Sequence, residues 1–182
     1  KMKSRLFTPW MLTLLFFSYN SCTNDLSFDG INLNVDPVFN GPVVYFELSQ
    51  NDFLEDDDIT EISSISDTTD FEVFKSSEIS DNTIKVALDF QVENGFDRAF
   101  EIRVVLLDGA DDIIYTFPNM EIDARNLNFT LSHAILIQDF PTFVNSRKMK
   151  VEVLLTPSSN PLDPLISNIL KFRSAVTVFL SF

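Results

Sequence analysis

Cysteine, histidine, tryptophan and glycine are nearly missing from this chain of 182 residues, which has one Cys, one His, one Trp and four Gly. A single thiol and a single imidazole exclude a disulfide framework and a zinc site built on Cys and His. The glycines stand apart, at 30, 41, 95 and 109, so no Gly-rich loop is present to cradle a phosphate. Basic residues are few, 13 Lys and Arg against 27 Asp and Glu, and the formal net charge is −14. A nucleic-acid backbone is held by clustered cations, so no nucleic-acid partner is expected. Strand–helix–strand alternation is also missing, which argues against a parallel α/β sheet.

What remains is apolar and aromatic. The composition is 45% hydrophobic with 19 Phe, which excludes a mainly disordered chain despite the charge. The length suits one domain with a real core.

Lys1-Met2-Lys3-Ser4-Arg5 is a positive leader, with Met2 the expected initiator. Leu6 to Phe17 is an apolar run of 12 residues, broken by Thr8, Pro9 and Thr13. Crossing a bilayer takes about 20 apolar residues, so the run is too short to span and fits the core of a signal peptide. Ser21 then stands directly before the sole cysteine, Cys22. This arrangement resembles the lipobox of bacterial lipoproteins, although Tyr19 stands where an aliphatic residue is usual. The resemblance implies lipidation at Cys22: cleavage before it, a diacylated thiol and an acylated new N-terminus. Removing residues 1–21 leaves 10 basic and 27 acidic residues, a net charge of −17.

The Ser-Cys junction, a polar Asn/Asp-containing tether and a Phe- and Asp-rich β domain together resemble lipoproteins of the Bacteroidota. The implied partner is the membrane, through the lipid anchor, and the implied localisation is the outer membrane. The periplasmic face and the cell surface stay equally open. Only Asp25 and Asp29 stand where surface export in that phylum uses an acidic run.

Residues 22–42 read as a flexible tether rich in turn formers, and 43–182 as a single domain. Strands are expected over Val43–Leu48, Ile84–Val92, Phe100–Leu106, Ile113–Phe117, Leu127–Leu131, Met149–Leu155 and from about Leu170 onward, because apolar and polar residues alternate there. A further β-like pattern starts at Asp70–Phe74, and the acidic stretch before it reads as a solvated edge loop or a frayed helix. Glu93-Asn94-Gly95 and Asp108-Gly109 read as hairpin turns. Ser132 is positioned to cap one short helix near 132–138, ended by Pro141. About eight strands with turn signals between them predict an all-β fold, an antiparallel β-sandwich, Ig-like, with Greek-key connections.

The chemistry on offer is thin. His133 beside Ser132 is the only base for a nucleophilic triad, but neighbouring side chains point apart. Paired carboxylates occur by chance among so many acids, and the region after Cys22 has no Trp and only Tyr45 and Tyr115 as sugar platforms. Asp56-Asp57-Asp58 and Asp108 to Asp112 offer oxygens to calcium without EF-hand spacing. Asp67-Thr68-Thr69 resembles the short O-glycosylation motif of Bacteroidota envelope proteins, and Asn128-Phe129-Thr130 matches a sequon. The last strand resembles the closing strand of outer-membrane barrels, but a sandwich core explains the same alternation. No catalytic, cofactor-binding or metal-ligating residue is assigned. The expected function is a non-enzymatic binding or structural module for another cell-envelope protein. The alternative is a glycan- or small-ligand-binding accessory lipoprotein, and a hydrolase is a third reading.

Overall fold

Alternation in the sequence becomes alternation in burial. Along Thr83–Asn94, Val86, Leu88, Phe90 and Val92 are buried, while Lys85, Ala87, Asp89 and Gln91 lie toward solvent. The computed structural model describes residues 36–57 and 59–182. The stretch expected to be a signal peptide, Cys22 and most of the expected tether lie outside the described residues.

Among the described residues nine strands run in chain order: β1 (Val38–Ser49), β2 (Ser64–Asp70), β3 (Thr83–Asn94), β4 (Phe100–Leu107), β5 (Ile113–Thr116), β6 (Met120–Ile122), β7 (Phe129–Leu136), β8 (Lys148–Leu155) and β9 (Ile169–Leu180). One short helix, α1 (Ser77–Asn82), precedes β3. The strands form two antiparallel sheets, ordered β1-β9-β3-β7 and β2-β8-β4-β5, with β6 also paired to β4. The expected all-β sandwich is present, and its connectivity departs from the Ig-like arrangement. An immunoglobulin sandwich puts its first, second, fifth and fourth strands in one sheet. Here pairing is nested, β1 with β9, β2 with β8, β3 with β7 and β4 with β5. That is a long hairpin rolled into two sheets, the jelly roll. Alternation and turn signals are common to both topologies, so the sequence pattern does not separate them.

Between the sheets lies a Phe-rich core. Phe90 is fully buried and meets Phe117 edge-on at 5.3 Å and Phe172 at 6.1 Å between ring centroids. Edge-to-face contacts of this kind add about 0.5–1.5 kcal/mol beyond area burial. A second group joins Phe53, Phe96 and Phe100 at 5.1 to 6.0 Å.

Several local expectations are overturned. No helix forms near 132–138: Ser132 and His133 lie inside β7, opposite Asp89 and Leu88 of β3. Phe129, Leu131, His133 and Ile135 alternate inward there, and the ladder to β3 outweighs the capping signal of Ser132. Pro141 starts a 3₁₀ turn, Pro141–Asn145. Asn94-Gly95 is not a hairpin, because β3 and β4 lie in different sheets. The Asn94 side chain instead builds a crossover: its amide donates to the carbonyls of Arg98 (2.7 Å) and Asp123 (2.8 Å), and its oxygen accepts from Phe96 N–H (2.9 Å). At Gly95 a Cβ would stand 2.9 Å from the Ile169 carbonyl oxygen. β1 begins at Val38, inside the stretch read as tether, and Asp70–Phe74 is a strand end followed by a 3₁₀ turn.

Nor is the acidic segment simply a solvated loop. Phe53 and Leu54 are buried, and Leu54 bridges to Glu61. The Asp57 carboxylate accepts from the N–H groups of Ile59 (2.9 Å) and Thr60 (2.8 Å) and from the Thr60 hydroxyl (2.7 Å). These bonds, those to Thr60 first, hold its pKa below the usual carboxylate value.

Candidate functional site: the outer face of the second sheet

The register of β2, β8, β4 and β5 writes a grid on their outer face. Thr68, Lys150, Val105 and Thr116 form one row, and Asp70, Lys148, Leu107 and Ile113 the next. Glu152 and Arg103 pair in a third. Residues between these on β4 and β8 face the core: Ile102, Val104, Leu106, Met149, Val151 and Val153 are buried. The strands therefore fix the outer side chains through the packing behind them.

The face is hollow. A groove of about 790 Å³ runs over it, with Val105, Leu107 and Ile113 as an apolar strip and charged side chains around them. That volume lies within the range of ligand clefts, roughly 300–1,000 Å³. Lys148 Nζ meets Asp111 at 2.7 Å. Arg103 meets Glu101 at 2.8 Å and Glu152 at 3.6 Å, and the Asn119 amide donates to Glu101 at 2.7 Å. Hydrogen bonding to Asp111 raises the Lys148 pKa, and hydrogen bonding to Glu101 raises that of Arg103. Both shifts favour the charged forms. Lys150 stands in the middle of the sheet between Thr68 and Val105. Among the described residues no aromatic side chain lines the groove. Lys148 and Arg103 are thus each ion-paired with acids beside the apolar strip.

The residues singled out in the sequence do not converge. Cys22 lies outside the described residues. His133 and Ser132 point to opposite faces of β7, Ser132 outward and His133 toward Tyr115, whose hydroxyl is 2.7 Å from His133 Nε2. Burial raises the Tyr115 pKa. The pair joins β5 to β7 across the sandwich rim, among the rings of Phe117, Phe140 and Phe143. Eighteen residues separate the two, and no sequence spacing announced them. Asp108 spends its carboxylate on its own turn, accepting from the N–H groups of Ala110 (2.7 Å) and Asp112 (3.0 Å). Among the described residues no three Asp, Glu, His or Cys gather as metal ligands. Thr68, of the glycosylation-like motif, is exposed at the groove rim. Tyr45 is exposed on β1 with its ring beside Arg173, on the other sheet from the groove. No described helix is long and apolar enough to cross a membrane.

No protein-family model matches the chain, and no curated protein matches it. Among solved structures it is similar to a Parabacteroides distasonis protein assigned as secreted, at 16% identity and a TM-score of 0.48. That match covers 63% of this chain and 38% of the other. A chain of infectious bursal disease virus, Gx strain, matches at 6% identity and 0.44, covering 81% of this chain and 32% of the viral one. Desmodium yellow mottle tymovirus matches at 9% and 0.34, covering 82% and 90%. The chain thus spans well under half the length of the first two. Nothing about activity passes from any of them to this protein.

Proposed function

We propose that this protein is a bacterial outer-membrane lipoprotein, anchored through Cys22, whose sandwich is a non-enzymatic module that holds another cell-envelope protein. The observation supporting this reading is the groove on the β2-β8-β4-β5 face: an apolar strip ringed by fixed charges of both signs, without an aromatic platform. A glycan site leans on ring stacking, and the groove offers none. A protein segment is recognised by complementary charges and apolar anchors, which the groove does offer.

The test uses the full anchored protein in its native membranes. A photo-crosslinking side chain replaces Thr68 at the groove rim, and the captured partner is compared with that of the Lys148→Glu, Lys150→Glu variant. Capture of one stoichiometric envelope protein, lost on charge reversal, supports the reading. Capture that ignores the reversal, or saturation of the groove by a soluble glycan, overturns it. Labelled fatty acid should be incorporated by the native chain and not by Cys22→Ser; label retained in Cys22→Ser would overturn the anchor at Cys22.

A further inference from the structure

Open sheets end in strands with one unpaired side, and natural proteins blunt such edges with shortness, charge, proline or a bulge. Three edges here are blunted. β1 carries Pro42 and Glu47 and a register shift between Pro42 and Val44. β2 carries Asp67 and Asp70. β5 has four residues and a register shift at Leu106/Leu107 of its neighbour. β7 has none of these. Its eight residues, Phe129–Leu136, hold no Asp, Glu, Lys, Arg or Pro, and its register with β3 is unbroken. In a chain of net charge −14, a charge-free edge of this length is out of character.

The hydrogen-bonding direction along β7 follows from one contact. Ile137 N–H donates to the Ile84 carbonyl at 3.0 Å. Antiparallel pairs alternate between bonded and non-bonded, so Ile135, His133, Leu131 and Phe129 turn their backbone groups toward β3. Thr130, Ser132 and Ala134 then turn theirs away from the sheet. Among the described residues those outward groups have no hydrogen-bond partner. Their side chains are small and exposed, so another backbone can come close.

We propose that β7 pairs with β7 of a second copy of this chain, antiparallel, about a two-fold axis at Ser132. A strand centred there engages every outward group: Ser132 meets its own copy, and Thr130 meets Ala134. No other centre uses all three. A second copy is the occupant because acids populate the other long edges, and two acidic molecules approach most easily along a line that carries none. The proposal goes beyond the reading above and stands apart from it, since the groove lies on the other sheet.

The experiment is sedimentation equilibrium of the Cys22→Ser chain across the micromolar range, at low and high salt. The expected result is a monomer–dimer equilibrium that tightens with salt, as screening relieves repulsion between acidic copies. Ser132→Lys sets two ammonium groups opposite each other at the axis and should abolish the dimer, while circular dichroism stays as in the parent and melting matches that of the parent at dilutions where the parent is monomeric. Ser132→Pro removes an outward N–H and leaves the β3 ladder intact, with the same expected loss; if it fails to fold, the Lys variant carries the test alone. Ser132→Cys, then the only thiol, should form an interchain disulfide on mild oxidation, because bonded antiparallel pairs stand about 5.5 Å apart at Cα. A monomer under all conditions, a dimer that survives Ser132→Lys, a dimer in which Ser132→Cys fails to cross-link, or a β7 edge that captures only a foreign strand would each overturn the proposal.

Discussion

Arg98 holds three segments together with one guanidinium, and removing it should cost the domain dearly. The side chain is 6% exposed. It donates to Glu61 at 3.0 Å, to the Thr156 carbonyl at 2.6 Å and to the Asn160 carbonyl at 3.0 Å. Glu61 also accepts from Leu162 N–H at 2.8 Å. The β3–β4 crossover, the end of the acidic segment and the loop between β8 and β9 thus meet at one ion pair. Arg98→Met keeps the apolar stem and deletes every donor. Breaking a buried pair from one side costs about 3–5 kcal/mol. Glu61 is 26% exposed, so water relieves part of its stranded charge, and we place the loss near the low end, about 3 kcal/mol. For a domain of this size each kcal/mol moves the melting temperature by about 2–4 °C, so the variant should melt roughly 6–12 °C lower. The pH dependence follows from Glu61. Burial alone would raise its pKa, but the bonds from Arg98 and the Leu162 amide outweigh burial and leave it below the ordinary glutamate value. A depressed folded pKa contributes stability that is complete above the unfolded value and lost as pH falls through the folded one. Glu61→Gln should therefore remove part of the acid-side loss of stability. Calorimetry of the parent, both single variants and the double variant, at neutral pH and near pH 4, closes the cycle. Additive losses, or a drop below about 1 kcal/mol for Arg98→Met, would refute the clamp.

Phe90→Ala should cost about 3–5 kcal/mol in urea unfolding, because it empties a fully buried site shared with Phe117 and Phe172. Asp89→Ala, one residue away on the outer face, should stay within about 0.5 kcal/mol, and equal effects would mean the strand is misassigned. Gly95→Ala should destabilise by roughly 1–3 kcal/mol, since its Cβ meets the Ile169 carbonyl oxygen at 2.9 Å and the crossover must shift. No measurable loss there would show that β9 yields at that point.

Strands β3, β4, β8 and β9 were legible because each carries a long alternation with one side buried, as in Met149, Val151, Val153 and Leu155. β2 was not, because Ser64–Asp70 is an edge strand with only Ile65 and Thr69 half-buried, and every residue but Ile65 is polar. β7 was read half as strand and half as helix, since Ser132 gives a local capping signal while the ladder to β3 is a long-range fact. Strand order was out of reach for the same reason: β1 finds β9 across the whole domain. Lys150, Glu152 and Arg103 occupy polar positions of the strands expected over Met149–Leu155 and Phe100–Leu106, and Lys148 precedes the first of these by one residue. That they share one groove depends on the β4–β8 register, which no local pattern encodes. The Tyr115–His133 contact joins two sheets and left no trace in spacing.

The position of β9 has a consequence for how the molecule is made. It is the last strand in chain order, yet it lies between β1 and β3, bonded to both. Without it, β1 has no neighbour in its sheet and one edge of β3 is unpaired. The sheet β1-β9-β3-β7 is therefore complete only once Ile169–Leu180 has paired, through contacts of high sequence separation. Such closure is slow, and the waiting chain exposes apolar surface to its surroundings.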